Sequence, residues 1–84
     1  MYYVYILYSK SIDKYYIGYT SNLELRIAQH NSGFHKSKFT RKNSSDWDLV
    51  YQEKFNSKSK AIIREKEIKS FKSRSYIQSL IKNL

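Results

Sequence analysis

Within the stretch YYIGYTSNLELRIAQH, Tyr15 to His30, two adjacent phenols and then a glycine precede an arginine and a histidine four residues apart. On a helix that spacing makes Arg26 and His30 neighbours on one face. Leu23 and Ile27 repeat at the same interval, an adjoining apolar stripe that can face a sheet, so the polar pair borders the core. Tyr5 and Tyr16 each fall near the middle of a β-rich run and can lie side by side. Gly18, two residues on, lets a ligand or another backbone approach closely. Further along, Ala61, Glu65, Ile68 and Phe71 share one broad face at about 100° per residue, with Ile62 on its flank. Glu65 therefore points into the apolar side, and Glu67 falls well away from it. A carboxylate so placed is costly unless paired or bound to a metal.

Each residue alone has a plainer reading. A strand tyrosine ordinarily packs, an isolated histidine ordinarily sits at a helix end, and an arginine is ordinarily solvated. Glu65 can be one half of a structural ion pair with a nearby Lys or Arg. Together, two phenols, Arg26, His30 and one inward carboxylate suit phosphodiester hydrolysis. A carboxylate with water ligands can hold Mg²⁺ or Mn²⁺, hard cations that prefer oxygen. The metal would stabilise the leaving oxygen, and the guanidinium would neutralise charge growing on the phosphate. A phenol with its pKa lowered by cations could deprotonate the attacking water. One acidic ligand implies a single ion.

The elements that must position these groups are legible in outline. Tyr2 to Tyr8 is wholly apolar or aromatic, as suits a central strand covered on both faces. After the polar turn Ser9 to Lys14, Tyr15 to Tyr19 is a second strand, close enough for an antiparallel hairpin. Ser21-Asn22-Leu23-Glu24 has the form of a capping box with Ser21 as the cap, and Gly33 fits the stop of a helix ending near Asn31. Phe34 to Asp46 is polar, and its HKSKFTRK stretch contains no acid. Trp47 to Phe55 reads as a third strand, with Trp47, Leu49 and Tyr51 on one face. Ser57 to Ser70 reads as a helix. A last amphipathic helix carries Tyr76, Ile77, Leu80 and Ile81. The order β-β-α-β-α-α gives an α+β fold in one domain, residues 1–84.

Sixteen Lys and Arg against seven Asp and Glu leave a net charge of +9. Such an excess favours polyanionic partners, nucleic acid before anionic membrane. Twelve of the sixteen are Lys, and the wealth of Lys, Ile, Asn and Tyr also fits an AT-rich genome, which could supply part of the charge. Nine Tyr, four Phe and one Trp must supply much of the core area. The absence of cysteine removes disulfide frameworks, thiol catalysis and zinc ribbons together. MYYVYILYSK lacks a basic leader and a cleavage site, and no later run approaches a membrane span, so a soluble cytoplasmic protein is expected.

With these residues in view, the chain resembles the GIY-YIG endonucleases. Tyr3-Val4-Tyr5 stands where the first motif, G-I-Y, belongs, and Tyr16-Ile17-Gly18 matches the second. The likeness continues through Thr20, Leu23, Arg26 and His30, and resumes at Ala61-Ile62-Ile63-Arg64-Glu65, similar to the helix that carries the family's metal-binding glutamate. It looks most like the small stand-alone bacterial branch, related to the excision-repair incision subunit and to eukaryotic junction-resolving nucleases. The resemblance implies a three-stranded antiparallel sheet flanked by helices. It also implies Tyr16 as base, Tyr5 as its hydrogen-bonding partner, Arg26 on the phosphate, Glu65 on the metal and His30 beside the base. Tyr3 replaces the first-motif glycine. Tyr19 stands where some repair members have lysine, so cationic help for Tyr16 must come from elsewhere. The family's late asparagine has no clear counterpart, Gln78 being the nearest.

The expectation is a Mg²⁺- or Mn²⁺-dependent DNA endonuclease acting on damaged or branched DNA in repair or recombination. Lys36, Lys38, Arg41 and Lys42 would contact the DNA backbone, and a protein partner could supply target choice. The principal alternative is a non-catalytic nucleic-acid-binding module that retains the nuclease fold.

Overall fold

The computed structural model describes residues 1–32, 46–71 and 73–82. Three strands are present among them: β1 (Tyr2–Ser9), β2 (Lys14–Thr20) and β3 (Trp47–Phe55). They form one antiparallel sheet in the order β2-β1-β3. The uninterrupted apolar strand is thus the central one, as its composition requires. Helix α1 (Leu23–Ser32) follows β2, and α2 (Lys58–Phe71) and α3 (Arg74–Lys82) follow β3. The architecture is α+β, in the expected order. No described helix is long and apolar enough to cross a membrane.

Alternation along β1 divides the core between two faces. Tyr5 and Leu7 pack with Trp47 on one face, against Leu23 and Ile27 of α1. Val4 points the other way, to Ala61 and Ile68 of α2, with Tyr76 and Leu80 of α3 closing over them. The amphipathic reading of α3 therefore holds. Phe71 does not join this core. It is the last residue of α2, 51% exposed, and stacks on Tyr76 of the next helix at a centroid distance of 4.0 Å instead of on the sheet.

Two further expectations are corrected. The cap of α1 is Asn22, not Ser21: Leu25 N–H donates to Asn22 Oδ1 at 3.1 Å, the contact of an N-cap with the third helical residue. Thr20 fixes that choice, since its Oγ1 accepts from Asn22 N–H at 3.1 Å and sets the turn leaving β2. The third strand does not keep Trp47, Leu49 and Tyr51 on one face. Leu7 pairs with Leu49 but Ile6 pairs with Tyr51, so Val50 is an extra residue in a β-bulge. Beyond it the faces exchange: Trp47 and Leu49 lie on the α1 side, and Tyr51, Glu53 and Phe55 on the α2 side. The exchange brings Glu53 under Arg64, whose Nε and Nη2 both donate to it at 2.9 Å.

The sheet and α1 are tied by one side chain. Asn31 donates from Nδ2 to the Trp47 carbonyl at 3.0 Å, and its Oδ1 accepts from Trp47 N–H at 2.7 Å. The amide thus acts as a short strand partner at the start of β3. It holds the last turn of α1, and with it His30, against the sheet. At the same end of β3, Asp46 accepts from Ser9 Oγ at 2.5 Å and from Ser11 N–H at 2.9 Å, binding the β1–β2 turn. Gly33 and the basic loop residues Lys36, Lys38, Arg41 and Lys42 lie outside the described residues.

Candidate active site

A cleft of about 440 Å³ runs along the free edge of β2. Tyr5, Tyr16, Gly18 and Thr20 line it from the α1 side of the sheet, with Ser21 and Arg26 beyond. Tyr2 and Tyr19 line it from the α2 side, with Lys58 and Glu65 from α2 itself. Residues from both faces meet there because β2 is an edge strand and Gly18 presents no side chain at the crossing point.

The register explains the two phenols. Tyr5 stands opposite Gly18, and Tyr16 opposite Leu7, so the tyrosines are diagonal neighbours on one face. Their ring centroids are 6.4 Å apart. A Cβ on Gly18 would lie 2.6 Å from the Tyr5 hydroxyl oxygen and 3.2 Å from Tyr16 Cε2. The missing side chain is therefore what allows the Tyr5 ring to lie across β2. Tyr5 is fully buried and cannot retreat. Gly18→Ala should cost about 1–3 kcal/mol through overpacking, read as a lowered thermal midpoint, and should reduce any activity that needs Tyr16 in place.

The environments of the two phenols differ. Burial pushes the Tyr5 pKa well above that of an ordinary phenol, with the neighbouring Tyr16 adding to the shift; hydrogen bonding and charge from Arg26 oppose it without overcoming it. Tyr5 is held protonated, its hydroxyl 3.3 Å from His30 Nε2. Tyr16 is only partly buried and faces the cleft.

His30 is placed differently from Arg26 despite their shared helical face. It is 1% exposed and does not line the cleft. Its ring lies behind the phenols, with centroids 4.7 Å from Tyr16 and 6.2 Å from Tyr5. It touches the candidate base from within the core.

Glu65 enters the cleft with a side chain 14% exposed, and Lys69 Nζ lies 3.2 Å from its Oε2. The expected inward carboxylate and the plain ion pair are thus both present. Glu67 points away and accepts from Arg64 Nη1 at 2.7 Å. No group of three or more His, Cys, Asp or Glu side chains gathers around a common point among the described residues. The donor set is one carboxylate beside phenolic oxygens. It fits a hard divalent ion that keeps most of its waters and takes further ligands from a phosphate. It does not fit a fully caged metal. Gln78 lies elsewhere, in a groove between Tyr15 and α3.

Two lining residues were not singled out from the sequence. The sequence places Tyr2 in a core strand and Lys58 in the helix from Ser57 to Ser70, and marks neither for the site. The available signal for Lys58 was its spacing of seven from Glu65, two helical turns along the same face.

Comparison with known proteins agrees with this geometry. Residues 1–77 match the GIY-YIG catalytic domain. A UPF0213 protein of Staphylococcus haemolyticus is 52% identical over 69 residues, which cover 82% of this chain and 80% of that one. Another, from Natronomonas pharaonis, is 47% identical over 68 residues, covering 81% and 76%. The solution structure of a UPF0213 protein from Bacillus halodurans superposes with a TM-score of 0.59 at 37% identity, covering 98% of this chain and 84% of the other. The chain belongs to the GIY-YIG family of nuclease domains, in company with the small UPF0213 proteins.

Proposed function

We propose that this protein is a metal-dependent DNA endonuclease, and the observation that carries the reading is the convergence of Tyr16, Arg26 and Glu65 on one cleft. Tyr16, the more accessible phenol, acts as the phenolate, which takes a proton from the attacking water and becomes the neutral phenol. Arg26 neutralises the phosphate oxygens as charge grows on them. Tyr5 remains protonated and, with His30 behind it, fixes the floor of the cleft against which the Tyr16 ring rests. Glu65 would hold the cation, Mg²⁺ or Mn²⁺, with Lys69 swinging aside. A divalent ion bound there would offset charge on the leaving oxygen. The net charge of +9 supports a polyanionic substrate. Damaged or branched DNA, a cytoplasmic setting and a protein partner that directs target choice complete the proposal.

A second reading, a binding module that no longer cuts, is favoured by one observation: Glu65, the only carboxylate lining the cleft among the described residues, already has a cationic partner in Lys69. One experiment decides between them. A panel of branched, nicked and supercoiled DNAs is incubated with Mg²⁺ or Mn²⁺ and with EDTA. Metal-dependent nicking of any member supports the endonuclease. Salt-sensitive binding without nicking supports the module.

A further inference from the structure

Lys58 is the first residue of α2, and its side chain lines the same cleft as Tyr16, Arg26 and Glu65. Seven residues separate it from Glu65, so the two project within roughly 20° of each other, two turns apart, at about 100° per residue. Ala61, fully buried between them, holds this side of α2 against the sheet. The direction in which the exposed Lys58 side chain leaves the helix is therefore set by the same packing that aims Glu65.

No ion pair accounts for that side chain among the described residues, whereas Arg64 is held by Glu53 and Glu67, and Lys69 by Glu65. Nor does α2 gain from it. A helix N-terminus carries partial positive charge, so a cation in the first turn is unfavourable. There is no acidic residue in that turn to offset it. Ser57 already caps the helix, its Oγ accepting from Lys60 N–H at 3.3 Å. What the lysine does complete is the charge pattern of the cleft. Arg26 lies on the α1 side, Lys58 on the α2 side, and one carboxylate stands among them. An anionic strand laid along the edge of β2 would meet a cation from each side.

Taking the cleft as the place where a phosphodiester binds, as proposed above, we infer that Lys58 is a substrate-binding residue that contacts a backbone phosphate next to the one cleaved. Its ammonium is a flexible point charge on a long stem, suited to holding a phosphate in the ground state. The contact is made equally before and during bond cleavage, so it sets affinity and not the rate of the bound complex.

The test compares Lys58→Met, Lys58→Arg and the surface control Lys66→Met, each checked for folding by circular dichroism. DNA binding is measured across a salt series without divalent metal, and nicking kinetics with Mn²⁺. Lys58→Met should lower the slope of log K against log salt by about one unit, since one counterion fewer is released. It should raise KM by roughly 10-fold with kcat nearly unchanged. Lys58→Arg should restore the slope, and Lys66→Met should leave every quantity as in the wild type. An unchanged slope and KM in Lys58→Met would overturn the inference, as would a fall in kcat at constant KM. If the wild type binds DNA but does not nick it, the nuclease reading fails on its own, and the slope still decides the role of Lys58. If the wild type binds no DNA, both fail.

Discussion

Glu65→Gln should abolish nicking while leaving DNA binding as strong as before or slightly stronger. The amide keeps the shape of the side chain and its place in the cleft, but a hard divalent ion loses the one anionic ligand that the described residues offer there. Removing one negative charge that faces phosphate can only help the DNA to bind. Stability should hardly move. The lost partner is Lys69, half exposed and one turn away on the same helix, and such pairs are worth about 0.3–0.5 kcal/mol.

Glu67→Gln is the internal control. Glu67 is 54% exposed, and its partner Arg64 keeps its hydrogen bonds to Glu53 when Glu67 is gone. Nicking should be unchanged. The measurements are nicking rate, DNA affinity and Mn²⁺ affinity of the free protein, for both variants. Loss of Mn²⁺ binding in Glu65→Gln alone is the expected result. Loss in Glu67→Gln with Glu65→Gln spared would mean that the cation is held on the other side of α2.

Why Glu65 could be chosen over Glu67 from sequence is a matter of period. A 14-residue helix with Ala61 and Ile68 against a sheet leaves little freedom in the direction of a residue between them. The same holds for β1, whose unbroken apolar run has only one place in a three-stranded sheet. Local periodicity fails where a tertiary event intervenes. The Val50 bulge reverses the faces of β3, and nothing in WDLVYQEKF marks one residue as extra. At the start of α1, Ser21 and Asn22 are both good caps, and the choice is made by Thr20, which holds the Asn22 amide. His30 was legible as a neighbour of Arg26, but not its burial. That depends on Asn31 drawing the end of α1 onto the Trp47 backbone from sixteen residues away. Lys58 differs again: its spacing of seven from Glu65 puts it on the same face, but a lysine there reads as solvated until the cleft beside it is known.

Tyr16→Phe should reduce nicking by roughly 10²-fold or more, the usual contribution of a positioned general base, without loss of structure. The hydroxyl faces the cleft, while the ring packs beside His30 and Trp47. Phenylalanine keeps those ring contacts and removes only the oxygen. Tyr5→Phe is the necessary comparison. Burial holds the Tyr5 phenol protonated, so it is unfit to accept a proton, and its hydroxyl faces His30. Its loss should appear chiefly as destabilisation, about 1 kcal/mol for a buried hydrogen bond left half made, with a smaller fall in rate as His30 and Tyr16 settle into new positions. The pH profile separates the two. A phenol acting as base must first lose its proton, so the wild-type and Tyr5→Phe rates should climb with pH, whereas the residual rate of Tyr16→Phe should lose that dependence. If Tyr5→Phe abolishes the pH dependence and Tyr16→Phe keeps it, the base is the buried tyrosine, and the roles of the two phenols are exchanged.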